Sequence, residues 1–395
     1  MESQEVAFRV AKDDLAGAVA WVARNLPTKP TQPVLRAMVI TADDEGLELA
    51  GFDYEVSTRV QISAEVASPG RVAVAGKLLS EIIGTLPNKP VELRVDDSTA
   101  TVTCGSSRFE LPVISLEDYP QLPTLPQVTG SIDPAAFAEA VSQVAAAAGT
   151  DDTLPMLTGV HVVIKGRTLE LAATDRFRLA RRTLEWDPVD ESVEAKLLVP
   201  AKTLLDNART LEQGTGDPVE IAVGTGDQIG AEGLFGVHTH RRETTTRLLD
   251  AEFPNIAPLF PKTHKSIAAV EIGPLQEAIK RVSLVTDRNA QIRMQFSEGQ
   301  VVLSAGGTDS GHAEEAVPAD YRGPEDLLIA FNPHYLKDGL GVVGAKRVVF
   351  GFTEASRSAI MIPEPEQLPD RGEDELFPTP ETNFTYLLMP VRLPG

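Results

Sequence analysis

Residues 47–53 read Leu47-Glu48-Leu49-Ala50-Gly51-Phe52-Asp53, and 122 positions later the chain returns to Leu169-Glu170-Leu171-Ala172-Ala173-Thr174-Asp175. Pro33-Val34-Leu35 comes back as Pro155-Met156-Leu157 at the same spacing. A single offset over the whole segment keeps the register, which points to a duplicated folding unit. The alternating apolar residues have the period of half-buried strands. Upstream, Leu15, Ala18, Val19 and Val22 fall on one helix face, with Asp13 and Asp14 at the end where carboxylates suit the helix dipole.

Working outward, one order recurs: a strand, a helix, then three strands. The first instance is Phe8–Ala11, a helix ending before Pro27, then Val34–Ala42, Gly46–Gly51 and Val56–Val66. The second is Val72–Val74, helix Lys77–Leu86, then Val91–Val95, Thr99–Cys104 and Arg108–Pro112. The pair repeats with helices Pro134–Ala148 and Lys202–Leu211, the latter followed by strands Val219–Val223, Gln228–Leu234 and Thr244–Leu249. It repeats more weakly with helices Pro274–Val285 and Pro333–Val342, where Val302-Leu303-Ser304-Ala305 echoes the opening motif. Tyr119-Pro120 and Phe253-Pro254 close the first two units alike. The expectation is an α+β protein of three similar domains, 1–126, 127–261 and 262–395, each with two helices packed on antiparallel sheets. The Pro-rich, acidic stretch 364–382 lacks apolar periodicity and reads as a mobile loop before a last strand, Phe384–Leu393.

Thirty-six Lys and Arg against 57 Asp and Glu give a net charge of −21. That excludes a protein that holds nucleic acid by a broadly basic surface. No apolar run is long enough to cross a membrane, no signal segment opens the chain, and the one cysteine, Cys104, has no partner for an internal disulfide, so a reducing cytoplasm is expected. The charge is uneven. The polar faces of the six helices carry seven cations (Arg24, Lys77, Lys202, Arg209, Lys280, Arg281, Lys337) and eight anions (Asp13, Asp14, Glu81, Glu139, Asp206, Glu212, Glu277, Asp338). The helices hold −1 and the rest of the chain −20.

Catalytic signatures are missing: no Walker A, CxxC, GxSxG or HExxH occurs. The glycines from Gly224 to Gly230 have the wrong spacing for a dinucleotide loop and read as a hairpin turn. His238-Thr239-His240 has no local third ligand and reads as a solvated strand end, and Asp43-Asp44-Glu45 and Glu373-Asp374-Glu375 as solvated turns. Asn383-Phe384-Thr385 matches a glycosylation sequon without secretory context. Cys104 reads as a buried small apolar residue. No metal, cofactor or catalytic residue is expected. An enzyme on a repeated α+β scaffold would need converging catalytic groups that these motifs do not supply.

At Ala173-Thr174-Asp175-Arg176-Phe177-Arg178-Leu179-Ala180 the chain resembles the bacterial sliding clamps, the beta subunits of DNA polymerase III. Phe331-Asn332-Pro333-His334-Tyr335-Leu336-Lys337-Asp338-Gly339-Leu340 resembles that family's third-domain helix, and Tyr386-Leu387-Leu388-Met389-Pro390-Val391-Arg392-Leu393 its C-terminal signature. The resemblance implies a DNA clamp fold and a ring-forming homodimer whose helices line a hole around double-stranded DNA. It implies a processivity factor that tethers polymerase subunits, is loaded by a clamp loader, and serves repair proteins through clamp-binding motifs. The DNA-facing candidates are Arg24, Lys29, Lys77, Lys202, Arg209, Lys280, Arg281 and Lys337. The implied peptide pocket uses Leu157, Thr174, Arg176, Phe177, Arg178, Leu179, Pro254, Leu259, Leu387, Met389, Pro390, Val391, Arg392 and Leu393. Within it, Arg178 and Arg392 are expected to meet acidic or carbonyl groups of the peptide. Arg176-Phe177 replaces a Gly-His pair common in the family, Ile256 an aromatic and Pro258 a basic residue, and Pro394-Gly395 runs past the usual end. These departures leave a specialised paralog with an altered pocket, including reduced binding of pocket-directed inhibitors, as the alternative.

Overall fold

The computed structural model describes residues 5–96, 98–211, 216–224, 233–286, 291–307 and 311–393. Most of the expected strand Gln228–Leu234, the glycine turn after Gly224, Glu212 and Pro394-Gly395 lie outside these residues. The first copy runs β1 (Val6–Val10), α1 (Lys12–Asn25), β2 (Ala37–Asp43), β3 (Gly46–Phe52), β4 (Val56–Ile62), β5 (Glu65–Ser68), β6 (Gly70–Ala75), α2 (Gly76–Thr85), β7 (Val91–Asp96), β8 (Thr99–Cys104) and β9 (Ser107–Pro112). The second has β10 (Val128–Ile132), α3 (Pro134–Ala145), one-turn α4 (Pro155–Thr158), β11 (Gly159–Lys165), β12 (Thr168–Thr174), β13 (Arg178–Glu185), β14 (Asp187–Pro188), β15 (Glu194–Pro200), α5 (Ala201–Leu211), β16 (Val219–Val223), β17 (Leu234–Thr239) and β18 (Arg242–Arg247). The third has β19 (Thr263–His264), β20 (Ser266–Glu271), α6 (Ile272–Val282), β21 (Ile292–Ser297), β22 (Gln300–Gly307), β23 (Gly311–Arg322), β24 (Leu327–Phe331), α7 (Pro333–Val342), β25 (Arg347–Phe352), β26 (Ala359–Pro363), β27 (Phe377–Pro378) and β28 (Phe384–Leu388).

The chain forms two compact units, one from the described parts of 1–133 and 215–248, the other from those of 134–214 and 249–395. In the first unit a sheet of order β5-β1-β7-β8-β9 lies beside a run β10-β16-β17-β18-β4-β3-β2-β6. Val91, Leu93 and Val95 are buried while Glu92, Arg94 and Asp96 between them are exposed, as a one-sided sheet requires. α1 and α2 pack together and bury Leu15, Val19, Val22, Leu79 and Ile83 in a core shared with Phe8, Ile40 and Leu49. Val56–Val66, expected as one strand, is two. β4 pairs with β3, the chain breaks at Ser63-Ala64, and β5 pairs with β1. α1 also starts at Lys12, a cation that the helix tally left out and that sits 3.5 Å from Asp13.

The second unit is built on one twelve-stranded sheet, β15-β11-β12-β13-β28-β26-β25-β20-β23-β22-β21-β24. Phe296, Phe350 and Phe352 fill its main core under α6 and α7. Another set of strand residues, Leu179, Ile267, Val349, Ile360 and Leu387, clusters with Ile256 and Phe377 and is flanked by Phe253, Phe260 and Leu368. The stretch 364–382 is therefore anchored, contrary to the expectation of a mobile loop. Phe377 is buried, β27 pairs with β19, and Thr379 donates its N–H to Lys262 O at 2.9 Å and its hydroxyl to Pro261 O at 2.8 Å. One buried aromatic, a two-residue strand pair and Thr379 place a segment whose composition is that of a solvated loop. α3 ends at Ala145, short of the expected Ala148, and α6 gives way after Val282 to a 3-10 turn over Ser283–Val285. Among the described residues no helix is long and apolar enough to cross a membrane.

Candidate functional site

The turn from β12 to β13 begins the site. Asp175 Oδ1 accepts from Phe177 N at 3.0 Å and Arg178 N at 3.1 Å, an aspartate satisfying the backbone it turns. Thr174 donates its hydroxyl to Arg178 O at 2.7 Å. Arg176 sits at φ 79°, a left-handed conformation uncommon for a residue with a Cβ. The first copy builds the same turn. Asp53 Oδ1 accepts from Glu55 N at 2.9 Å and Val56 N at 2.7 Å, with Tyr54 at φ 75°.

β28 then pairs with β13, from Arg178↔Leu388 to Arg182↔Phe384, and Met389 donates its N–H to Phe177 O at 2.9 Å. This pairing brings the last residues of the chain beside the turn. Thr174, Leu157, Leu179 and Leu387 are buried, so their side chains belong to the packing of the second unit. Phe177, Leu259 and Met389 stay 53%, 54% and 44% exposed, three large apolar side chains left in water. Pro254, Arg176 and Arg392 are exposed, and Pro390, Val391 and Leu393 are half-buried. The chain beyond β28 is tied by Val391, whose N–H donates to Ala330 O at 2.8 Å.

Arg178, a candidate for ligand contact, already has internal partners. Its Nε donates to Asp175 Oδ2 at 2.9 Å and its Nη1 to Asp338 Oδ2 at 2.5 Å, with Tyr386 Oη at 3.5 Å. Its guanidinium lies 4.4 Å from the ring centre of Tyr335, a cation–π distance. Burial opposes its charge, but Tyr386, Asp338 and Asp175 overcome that and raise its pKa. Burial in turn pushes the Tyr386 hydroxyl well above its ordinary value, and that hydroxyl donates to Tyr335 O at 3.0 Å. The side chain is spent on an internal network because two carboxylates bracket it. Asp338 stands 160 residues away in sequence, so local spacing carried no signal of it. Tyr335, whose ring stacks on Phe177 at 6.0 Å between centroids, was missed for the same reason. Arg181, stacked on Phe260 at 3.9 Å, was missed too.

The cation candidates differ among themselves. Arg24, Lys29, Lys202, Arg209, Lys280 and Lys337 are exposed. Lys77 is half-buried and donates to Thr28 Oγ1 at 2.6 Å. Arg281 is bound to Glu315 at 2.6 Å and lies 3.7 Å from Glu277, so much of its charge is already met. His238 is corrected as well. Strand pairing sets Glu220 opposite it, with Nδ1 2.7 Å from Oε2, a carboxylate that local spacing could not supply. Among the described residues no group of three or more His, Cys, Asp or Glu is placed to hold a metal. Cys104 is buried, with its thiol directed at Pro87 O and Lys89 O, both at 3.4 Å. A cavity of about 540 Å³ in the first unit, lined by Gln32, Pro33, Val34, Arg36, Ile114, Ser115 and Asp118, involves none of the groove residues.

A duplicated turn and a threefold repeat of strands and helices define the class, a repeated α+β scaffold that leaves Phe177, Leu259 and Met389 exposed. Comparison with known proteins agrees. The models of the N-terminal, central and C-terminal domains of the DNA polymerase III beta subunit match residues 6–123, 131–255 and 257–368. The chain is 45% identical over 388 residues to the beta sliding clamp of Streptomyces coelicolor, covering 98% of this chain and 100% of that one. It is 42% identical over 386 residues to the beta sliding clamp homolog GriR of Streptomyces muensis, covering 98% and 99%. Among crystal structures, the Pseudomonas aeruginosa sliding clamp bound to griselimycin superposes with a TM-score of 0.84 at 26% identity, covering 98% of this chain and 100% of that one. The chain belongs to the DNA polymerase III beta subunit family, the beta sliding clamps. Similarity to a plainly named clamp is at least as high as to GriR, so the specialised paralog is not favoured.

Proposed function

We propose that this chain is a processivity factor that closes into a ring around double-stranded DNA as a homodimer of three-domain subunits, with domains at 1–126, 127–261 and 262–395. The carrying observation is a repeated joint. β18 of the second copy pairs with β4 of the first, and β28 of the third pairs with β13 of the second. By the same rule, among the described residues, β9 of the first copy is left with only β8 beside it, and the first part of β23 with only β22. An open edge invites another strand, and Phe109 on β9 is exposed for it. Joining β9 of one subunit to β23 of another satisfies both edges, and two-fold closure stops growth. Enclosure then replaces affinity, which is how a chain of charge −21 holds a polyanion.

Sliding calls for loose phosphate contacts rather than base reading. Arg24, Lys29, Lys202, Arg209, Lys280 and Lys337 are the cations available for it, with Lys77 and Arg281 held back by their own partners. The groove at Phe177, Leu259 and Met389 takes short peptide motifs of polymerase subunits, clamp loader and repair proteins, and so raises their effective concentration at the template. Methionine suits a groove that accepts several ligands. The crystal neighbour that holds griselimycin supports a ligand-binding clamp surface. The subunit performs no chemistry itself and works in the cytoplasm. After loading, it is expected to stay on nicked circular DNA and to run off linear DNA; equal retention on both would sink the ring reading.

A further inference from the structure

We infer that Asp338 is a positioning residue for the docking groove: through Arg178 it fixes the aromatic wall that a bound peptide meets. The inference rests on the reading of this groove as the peptide site. Arg178 follows directly on the exposed Phe177 and is the first residue of β13. Its guanidinium is held between Asp175 at 2.9 Å, in its own turn, and Asp338 at 2.5 Å, on α7. So held, it covers one face of the Tyr335 ring at 4.4 Å, while Phe177 stacks against the same ring at 6.0 Å and 21°. Tyr335 and Asp338 are three residues apart on α7, hence on one helix face.

α7 is itself fixed at its start. Asn332 caps the helix by accepting from His334 N at 2.9 Å and Tyr335 N at 3.4 Å. Gly339 lets the buried Tyr386 ring lie against the helix, since a Cβ there would fall 2.6 Å from a ring carbon. The helix is therefore tied at its start and along its buried face, and Asp338 is its charged reach toward β13. Asp338 remains 48% exposed on its side chain, whereas Arg178 is 12% exposed. The acid can be changed from the solvent side while the groove's exposed apolar residues are left alone. Preorganised walls raise affinity by lowering the ordering cost at binding. Freed from Asp338, Arg178 keeps one carboxylate and loses its bridge to α7, and Tyr335 and Phe177 lose the partner that sets their spacing.

The test uses the full-length protein and a labelled peptide copying the tail of the replicative polymerase. Asp338→Asn keeps shape and removes charge. We expect its dissociation constant to rise by about 5- to 10-fold, the low end of coupling free energies between sites. Asp338→Glu should recover most of the loss, which a merely structural role would not require. Arg178→Lys, which keeps the charge but loses the fork, is the second variant, and the double substitution should cost no more than the larger single one. Melting temperatures taken alongside separate positioning from folding. Wild-type binding with an unchanged constant in Asp338→Asn overturns the positioning role and leaves the groove reading intact. A wild-type protein that does not bind the peptide overturns both.

Discussion

The joint between β4 and β18 and the joint between β13 and β28 are built on one frame and put to different uses. Both have an aspartate accepting two backbone N–H groups, a non-glycine residue at positive φ, and a strand end that returns one N–H across the turn. Arg247 donates to Glu55 O at 2.9 Å in the first, Met389 to Phe177 O at 2.9 Å in the second. The side chains differ. The first joint carries Glu55, Val56 and Arg247, and Arg247 also caps Tyr54 O through Nε at 2.9 Å. The second carries Phe177, Arg178 and Met389, with two large apolar groups exposed and the cation drawn inward. Duplication supplied the backbone; the side chains that differ leave large apolar groups exposed at the second joint. Exposed apolar groups clustered on a rigid frame are what mark an interaction site.

The comparison can be broken at its strongest point first. Met389→Asp places a carboxylate among apolar groove residues, and loss of a central contact of this kind costs about 2–4 kcal/mol, which predicts peptide affinity weaker by at least about 30-fold. Arg247→Asp at the matching position should leave peptide affinity unchanged. Fluorescence anisotropy of both variants reads the difference, and equal losses would erase the distinction between the joints.

Acid should separate the units next. His264, beneath the strap that crosses the second unit, has its pKa pushed down by burial from 6.5 to about 4. Its Nε2 meets Thr379 Oγ1 at 2.7 Å and its Nδ1 is buried without a partner. The unfolded chain takes up this proton below pH 6.5 and the native one only below about pH 4. Stability from this group is thus present above pH 6.5 and lost as pH falls to 4, about 3 kcal/mol in all. Denaturant melts of the wild type and His264→Gln between pH 7.5 and 4 check it: the variant's stability should fall less steeply by that amount.

A smaller contrast lies in the two aspartates. Asp53→Ala removes two turn hydrogen bonds and should cost about 1–2 kcal/mol. Asp175→Ala removes the same pair and a partly buried partner of Arg178, so its cost should exceed that of Asp53→Ala by about 1 kcal/mol or more. Urea unfolding of the two variants gives the order. Smallest is the relief of positive φ. Arg176→Gly and Tyr54→Gly each remove about 1 kcal/mol of backbone strain, offset by the glycine's greater freedom when unfolded. Both should change stability little, and only Arg176→Gly should alter the salt dependence of peptide binding.

Legibility in the sequence followed the range of the interactions. Helix faces such as Leu15, Ala18, Val19 and Val22 were plain, because their period is local. The duplicated turn was plain as well, since Asp53 and Asp175 recur with their flanking strands. Where one strand ends and the next begins was not. Ser63-Ala64 breaks Val56–Val66 into β4 and β5, yet the matching span of the third copy runs unbroken as β23. Both outcomes are open to residues that suit strands, and the choice of sheet partner decides. The anchoring of 364–382 is not legible because its composition is polar and its ties, Phe377 in the core, the β27–β19 pair and Thr379, are made to residues far away in sequence. The partners of Arg178 were not legible, because Asp338 and Tyr335 reach it only through the fold.

The most direct measurement of the central claim is hydrogen exchange of the full-length protein with and without the polymerase-tail peptide. Added protection is predicted at residues 175–179 and 386–393, with none at 53–57 or 244–248. Equal protection at the two joints, or protection at the first alone, would contradict the account.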